Sequence, residues 1–573
     1  MSNISLTDAS ADLTPVASSE RIQALDVVRG FALIGIFLMN VEYYNRPLAE
    51  LGEGLPAMTG LNWLAGWLVY VLVQGKFWTM FSLLFGMGFA VMLTRAERAQ
   101  RNFIRPYLRR IAALAVFGAL HHIFIWGGDI LFSYAVGAVG LLVLLYGRAR
   151  YILIGLILLV GLSFAPGMEG LRGVAGSLAF ISVTALFLRG ERWSSLFGTR
   201  LPTFSKIFVG LGAVLLLAAA AFWIMPNAPK EARIPMTIMS IVVLAIGWLS
   251  ARFHDPADLR PRRLGVAMYL FPFIMMTTFG IVQYYSPVPA AAPVAHAASA
   301  PAAAYTAMVK KADGKPTAAE AAAKKTAEAR ESRAKQKKER QEQIARERRI
   351  YSQGTYAEAV RMRAGEFAAH AADEAGFALV IIGMFLTGSW FVRSGVMENT
   401  GANLPFFRKL ALYGIPFGVG LGLLGTLIAT AQTPGVEKDP YQIATGLMFL
   451  GNLPACLGYV SLIVLMLHSR GMFSRISVLA PVGRMALTNY LTHSVLGTLV
   501  FYGYGLGYWG TGRAWQVVFV AVVIFLQVLF CTWWLKRFRY GPMEWLWRCI
   551  TYWRITPIRR DDIGILGSRQ VLA

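Results

Sequence analysis

The chain has 573 residues, of which 56% are hydrophobic and 15% charged, with a formal net charge of +24. An ordinary soluble domain carries about 25% charged residues, whereas apolar blocks of membrane-spanning length recur here from Phe31 to Trp534. A soluble enzyme, a disordered chain, collagen and a disulfide scaffold are thereby excluded, and the predicted fold class is an all-α polytopic transmembrane helix bundle.

The first twenty residues are polar and lack Lys and Arg, and no small-residue cleavage site follows the apolar run Phe31–Val41. The first apolar segment is therefore expected as a retained helix and not a cleaved signal peptide. A spanning helix needs about 20 apolar residues. On that measure spans are predicted at 27–44, 76–94, 108–126, 129–146, 151–166, 173–188, 205–225, 234–251, 264–284, 374–392, 409–431, 441–467, 485–504 and 515–535. That is roughly 12–14 crossings, the segments at 151–166 and 173–188 being the shortest. Residues 59–74 are also apolar, but one more crossing there inverts every later loop, so they are read as an outer-surface or re-entrant helix. The resulting organisation is a cytoplasmic segment 1–26, a helix bundle 27–285, a hydrophilic extracytoplasmic insertion 286–373, further spans 374–535 and a basic cytoplasmic tail 536–573.

In a soluble protein this positive charge would point to nucleic acid. Here the basic residues sit in short loops between apolar blocks, so the bilayer is the expected partner and nucleic acid is not. One turn holds Arg95, Arg98, Arg101, Arg105, Arg109 and Arg110, and Lys536, Arg537 and Arg539 follow the last span. The alternate short loops hold only Arg46, Lys76, Arg172, Lys230, Arg233, Lys438 and Arg513. The positive-inside rule then places both termini in the cytoplasm. Residues 286–303 are rich in Ala and Pro, and 310–349 hold 14 basic and seven acidic residues. This insertion reads as a solvated helix or disordered arm, or as a contact for anionic lipid or polymer. Cys456, Cys531 and Cys549 have neither metal-ligand spacing nor a C-x-x-C pair, so no metal or other cofactor is expected.

Several long motifs are similar to one known family. They are RIQALDVVRGFALIGIFLMN at Arg21–Asn40, GKFWTMFSLLFGMGF at Gly75–Phe89, LHHIFIWGGDILFSYAVGA at Leu120–Ala138, GRMALTNYLTHS at Gly483–Ser494 and GPMEWLWR at Gly541–Arg548. In these the chain resembles the YeiB-like bacterial membrane family, domain of unknown function 418. That family is distantly similar to transmembrane acyltransferases such as the heparan glucosaminide acetyltransferases. Their D-x-x-R-G-x-A-L…N opening corresponds here to Asp26, Arg29, Gly30, Ala32, Leu33 and Asn40. The resemblance implies a bacterial inner membrane, and acyl transfer from a cytoplasmic acyl-CoA co-substrate to an outer glycan or lipid acceptor. In one respect the chain departs from the acetyltransferases. Their catalytic histidine stretch precedes the second span, and Leu61–Gly75 contains no histidine.

Ionisable residues inside a bilayer are costly and mark function or a paired structural site. Asp26 and Arg29, three apart, share a helix face; they form a local ion pair, or Arg29 faces a phosphate-bearing donor. His121 and His122 lie near the outer end of the third span, with Asp129 opening the next. A His supported by a carboxylate is a general base, and adjacent helix positions point about 100° apart, so one histidine faces Asp129. His121 fits the family pattern. The alternative is a structural histidine, with Asp129 capping the next helix. Arg484, Thr488, Asn489, Thr492 and His493 form a polar stripe that either lines a cavity or joins helices. Gly420-x-Gly422-x-x-Gly425 lies within an apolar span with no preceding strand, so it reads as helix packing and not a nucleotide loop.

Three functions remain open. An acyltransferase would use His121, Asp129 or His493 for catalysis, with Asn489 or Arg484 as oxyanion donors. A transporter or flippase for a small amphipathic or anionic substrate would use the same polar groups. A membrane scaffold would use the outer arm.

Overall fold

The computed structural model describes residues 22–50, 58–168, 170–190, 193–196, 199–225, 230–285, 318–430 and 440–560. Residues 1–21, the Ala/Pro-rich stretch 286–303, Lys438 and the tail beyond Arg560 lie outside the described residues.

Each of the fourteen segments predicted as spans is a helix. In chain order the helices begin with α1 (Gln23–Tyr43), α2 (Gly60–Leu72), α3 (Lys76–Arg98), α4 (Ile104–Phe124), α5 (Leu131–Tyr146), α6 (Ala149–Leu162) and α7 (Leu171–Arg189). A hairpin of β1 (Trp193–Leu196) and β2 (Thr199–Pro202) follows, antiparallel and absent from the sequence reading, since four-residue strands leave no periodicity to detect. Then come α8 (Thr203–Ile224), α9 (Lys230–Arg252), α10 (Arg260–Tyr285), α11 (Ala318–Gln353), α12 (Tyr356–Arg393), α13 (Leu404–Thr430) and α14 (Tyr441–Leu467). The chain closes with α15 (Ala480–Arg484), α16 (Ala486–Phe501), α17 (Arg513–Arg537) and α18 (Pro542–Tyr552).

Among the described residues, 10 helices are long and apolar enough to cross a membrane. The other four predicted spans fall short for physical reasons. Arg105, Arg109 and Arg110 dilute α4, and α5, α6 and α16, with 16, 14 and 16 residues, reach only about 21–24 Å. The chain is an integral multi-pass membrane protein. Its peripheral helices expose Leu153, Leu217, Ile224 and Trp248, a surface that lipid and not water solvates.

The core forms around α1, whose Val27, Val28, Ala32 and Leu33 are fully buried against α3, α14, α15 and α16. Helices α3 and α12 cross at two glycines. A Cβ on Gly86 would strike the Phe385 backbone, and one on Gly388 the Leu83 backbone. Small residues at such crossings let helices approach without a hydrophobic drive between them. Gly425 meets the Ala444 carbonyl on α14 in the same way, and Gly418 the Gly451 carbonyl, whereas a Cβ on Gly420 would meet nothing, so only part of the glycine pattern in α13 serves packing.

Two features differ from expectation. The span expected to start at 374 is the second half of α12, one helix of 38 residues opened by a capping box between Thr355 and Glu358. Before it, α11 docks by its last turns: Glu347 accepts from the Ala49 N–H at 3.0 Å, and Arg348 pairs with Glu50 at 2.7 Å. Lys76, expected in an exposed outer loop, is instead buried, its Nζ donating to the Gln74 carbonyl at 3.2 Å and to Asn452 Oδ1 at 3.3 Å.

Candidate active site

The region where α1, α3, α4, α5, α15, α16 and α18 converge encloses a cavity of about 250 Å³. Phe81 and Phe85 from α3 and Tyr134 from α5 give it aromatic walls, and Arg29, Arg95, Arg110, Arg484 and Arg548 line it with guanidinium groups. Only two carboxylates line it, Asp26 and Glu544. Arg29 Nη1 donates to Asp26 Oδ1 at 3.1 Å, the pair expected from their spacing. The remaining cationic excess favours a phosphate-bearing ligand.

Glu544 is held by a second helix. Its carboxylate accepts from the Leu487 N–H at 2.6 Å, the Thr488 N–H at 3.0 Å and the Thr488 hydroxyl at 2.6 Å. It caps the start of α16 from α18 and places a negative charge at the positive end of that helix. Gly541 leaves room for this cap, because a Cβ there would press on the Glu544 carboxylate and the Thr488 hydroxyl. Arg548 lies over the Tyr540 ring at 4.5 Å. The motif GPMEWLWR thus builds one wall of the cavity.

At its deep end the cavity is bounded by Ile130, Leu131, Tyr134 and Tyr490. Next to this wall, His121 Nδ1 lies 2.8 Å from Asp129 Oδ1, both residues buried. Asp129 Oδ2 also accepts from the Phe132 N–H at 2.8 Å, so the same carboxylate caps α5. A carboxylate at Nδ1 assigns the proton there and leaves Nε2 as a lone-pair acceptor. That Nε2 is buried and has no hydrogen-bond partner. Gly118, one turn earlier on α4, makes the arrangement possible: a Cβ there would press on the Phe132 N–H and on Asp129. The Tyr490 ring stands 5.3 Å from the His121 ring, and its hydroxyl accepts from the Ile130 N–H at 3.4 Å.

The other candidates lie elsewhere. His122 turns away from Asp129 and stacks on His370 at 4.6 Å. His493 bonds Gln527 Oε1 through Nε2 at 2.7 Å and stacks on Phe37 at 3.9 Å. Asn489 donates to the Val482 carbonyl at 3.0 Å and reaches Cys531, and Asn40 lies beside Tyr44. None of these four lines the cavity. The expected polar stripe is divided because the helix breaks at Met485: Arg484 ends α15 and lines the cavity, whereas Asn489 and His493 bind α16 to its neighbours. Tyr490, Glu544, Arg110 and Arg548 were not singled out from sequence. Tyr490, Glu544 and Arg548 fall inside quoted motifs, but Arg110 stands in the basic turn, and periodicity does not reveal which of them share a cavity. Among the described residues no group of three or more His, Cys, Asp or Glu side chains is placed to hold a metal ion.

At the opposite end of α1 a second pocket of about 370 Å³ is lined by Glu42, Arg46, Glu50, Trp509 and Arg513. Arg46 bridges Glu42 at 2.7 Å and Glu50 at 2.9 Å there.

Comparison with known proteins bears out the YeiB-like, DUF418 part of the resemblance. Residues 391–554 match the family model described as a protein of unknown function (DUF418). The chain is 24% identical over 561 residues to "Uncharacterized protein YxaH" of Bacillus subtilis, covering 96% of this chain and 99% of that one. It is 30% identical over 183 residues to "Uncharacterized protein YeiB" of Escherichia coli, covering 30% and 44%. With the "Uncharacterized 39.9 kDa protein in amylase 3'region" of Bacillus acidopullulyticus it shares 36% over 138 residues, covering 24% and 37%. No solved structure gives a significant match. The segment matched by the family model holds Tyr490, Glu544 and Arg548, while His121 and Asp129 precede it.

Proposed function

From the premise of a YeiB-like membrane protein with a DUF418 segment, we propose that the chain is a transmembrane acyltransferase of a bacterial inner membrane, with both termini cytoplasmic. The donor is an acyl-CoA whose phosphates meet the cavity arginines from the cytoplasmic side. The acceptor is an outer hydroxyl or amine on a glycan or lipid. His121 is the general base, and Asp129 fixes its tautomer and supports the imidazolium during transfer. His493, held by Gln527 and Phe37, is a packing residue in this reading.

One observation carries the proposal: an arginine-lined, aromatic-walled cavity ends on residues that adjoin a buried His–Asp pair whose Nε2 is free. An anionic group and an acyl chain find complementary surfaces in one space, next to a base. The test uses purified protein in lipid nanodiscs with carbonyl-labelled acetyl-CoA and a panel of envelope glycans and lipids. Label transfer and thiol release that vanish in His121→Ala support the reading. Binding without thiol release, with passage of the ligand across vesicles, would favour transport instead.

A further inference from the structure

We infer that Tyr490 is a catalytic residue of this transfer, donating its hydroxyl proton in a hydrogen bond to the carbonyl oxygen of the acyl group in the cavity. The inference rests on the acyl-transfer reading and adds a residue to it. Tyr490 lines the cavity although it is only 4% exposed, whereas neither His121 nor Asp129 lines it. Of the two tyrosines on this wall, the Tyr134 hydroxyl donates to the Trp78 carbonyl at 3.2 Å, and Tyr490 is the one in ring contact with His121.

Its hydrogen bonding is directional. The hydroxyl oxygen accepts the Ile130 N–H at 3.4 Å, and among the described residues its own proton has no acceptor. A hydroxyl so anchored presents its proton away from Ile130, an arrangement suited to a charge that develops during reaction. The donors named from sequence do not compete for this position. The Asn489 amide is engaged with Val482 and Cys531, and Arg484 stands with Asp26 and Arg29 among the cavity arginines.

The step balances as follows. The acceptor must reach past the Ile130–Tyr490 wall to His121; there its oxygen adds to the thioester carbonyl carbon while its proton passes to His121 Nε2. The carbonyl π pair moves to oxygen, where the Tyr490 O–H holds it by a hydrogen bond without transferring the proton. As the C=O bond re-forms, the C–S bond breaks and the leaving thiolate takes the proton from His121. Tyr490 ends the cycle as it began.

The experiment compares wild type, Tyr490→Phe and His121→Ala, full length in nanodiscs, with carbon-13 carbonyl acetyl-CoA and hydroxylamine as acceptor. Infrared difference spectra report the bound carbonyl stretch, and thiol release reports turnover. In wild type the band moves to lower wavenumber; in Tyr490→Phe it returns to the free value, kcat falls about 10²–10³-fold and KM stays within about threefold. A band shift and kcat unchanged in Tyr490→Phe overturn the role of Tyr490 and leave the transfer reading intact. Absence of acetyl-CoA binding and thiol release in wild type overturns the transfer reading, and Tyr490 with it. Should Tyr490→Phe fail to fold, 3-fluorotyrosine at this position retains the shape and strengthens the donor. An enlarged band shift supports the role, and an unchanged one overturns it.

Discussion

Trp547 holds Arg110 in two ways at once: its ring lies 4.0 Å beneath the guanidinium, and its indole N–H donates to the Arg110 carbonyl at 3.0 Å. Helix α18 is too short to cross the membrane, yet this double contact fixes it to α4 and closes the cavity on one side. Trp547→Ala removes both interactions and the buried ring face, at an expected cost of about 2 kcal/mol. Thermal unfolding in detergent measures it, and Trp547→Phe, which keeps the ring, should recover about half.

The cap at the start of α16 gives a second prediction. Glu544→Ala leaves the Leu487 and Thr488 amides without their acceptor and should cost about 2–3 kcal/mol. Glu544→Gln keeps one oxygen and should cost roughly half that. Hydrogen exchange at the amides of Leu487 and Thr488 should rise in the same order, and uniform exchange in both variants would refute the cap.

The histidines separate function from packing. His121→Ala and Asp129→Asn should each lower thiol release by about 10²–10⁴-fold with the fold retained. His122→Ala, which removes ring contacts with His370 and Phe367 outside the cavity, should stay within about threefold. His493→Ala should lower the unfolding temperature while the protein that remains folded keeps its turnover. A reversal of that order between His121 and His493 would move the site to the α1–α16–α17 contact.

The arginines of the cavity should act on binding. Arg484→Gln and Arg548→Gln are each expected to weaken acyl-CoA binding about tenfold, with the loss shrinking as salt is raised. Titration calorimetry in nanodiscs at two ionic strengths checks both the size and the salt dependence.

At the α3–α12 crossing, Gly388→Val places two methyl groups where the Leu83 backbone already lies. Neither helix can yield without opening the core around Met80 and Phe385, so folded protein should be lost almost completely. Recovery of monodisperse protein by size-exclusion chromatography is the measurement.

Much of this architecture is legible in the residues, because lipid imposes a simple rule on composition. Every apolar block of sufficient length became a helix, and the ends matched to within a few positions at α3, α14 and α17. The pairing of His121 with Asp129 also follows from sequence, since the two lie eight residues apart across a turn opened by Gly127 and Gly128. The cavity itself is not legible in this way. Its wall residues come from α1, α3, α4, α5, α15, α16 and α18, and their convergence depends on non-local helix contacts that no local pattern encodes. The polar run ending at His493 shows the limit most clearly. One backbone break at Met485 sends Arg484 into the cavity, while Asn489 and His493 face neighbouring helices.

The length of α12 has a mechanical consequence. Its C-terminal half is locked into the core by Ile381, Met384 and Phe385, while its N-terminal half runs without interruption to the cap at Thr355. It forms an unbroken rod of about 57 Å. A displacement of its Thr355 end would therefore act at the Gly86–Gly388 crossing, against the helix that also carries Phe81 and Phe85.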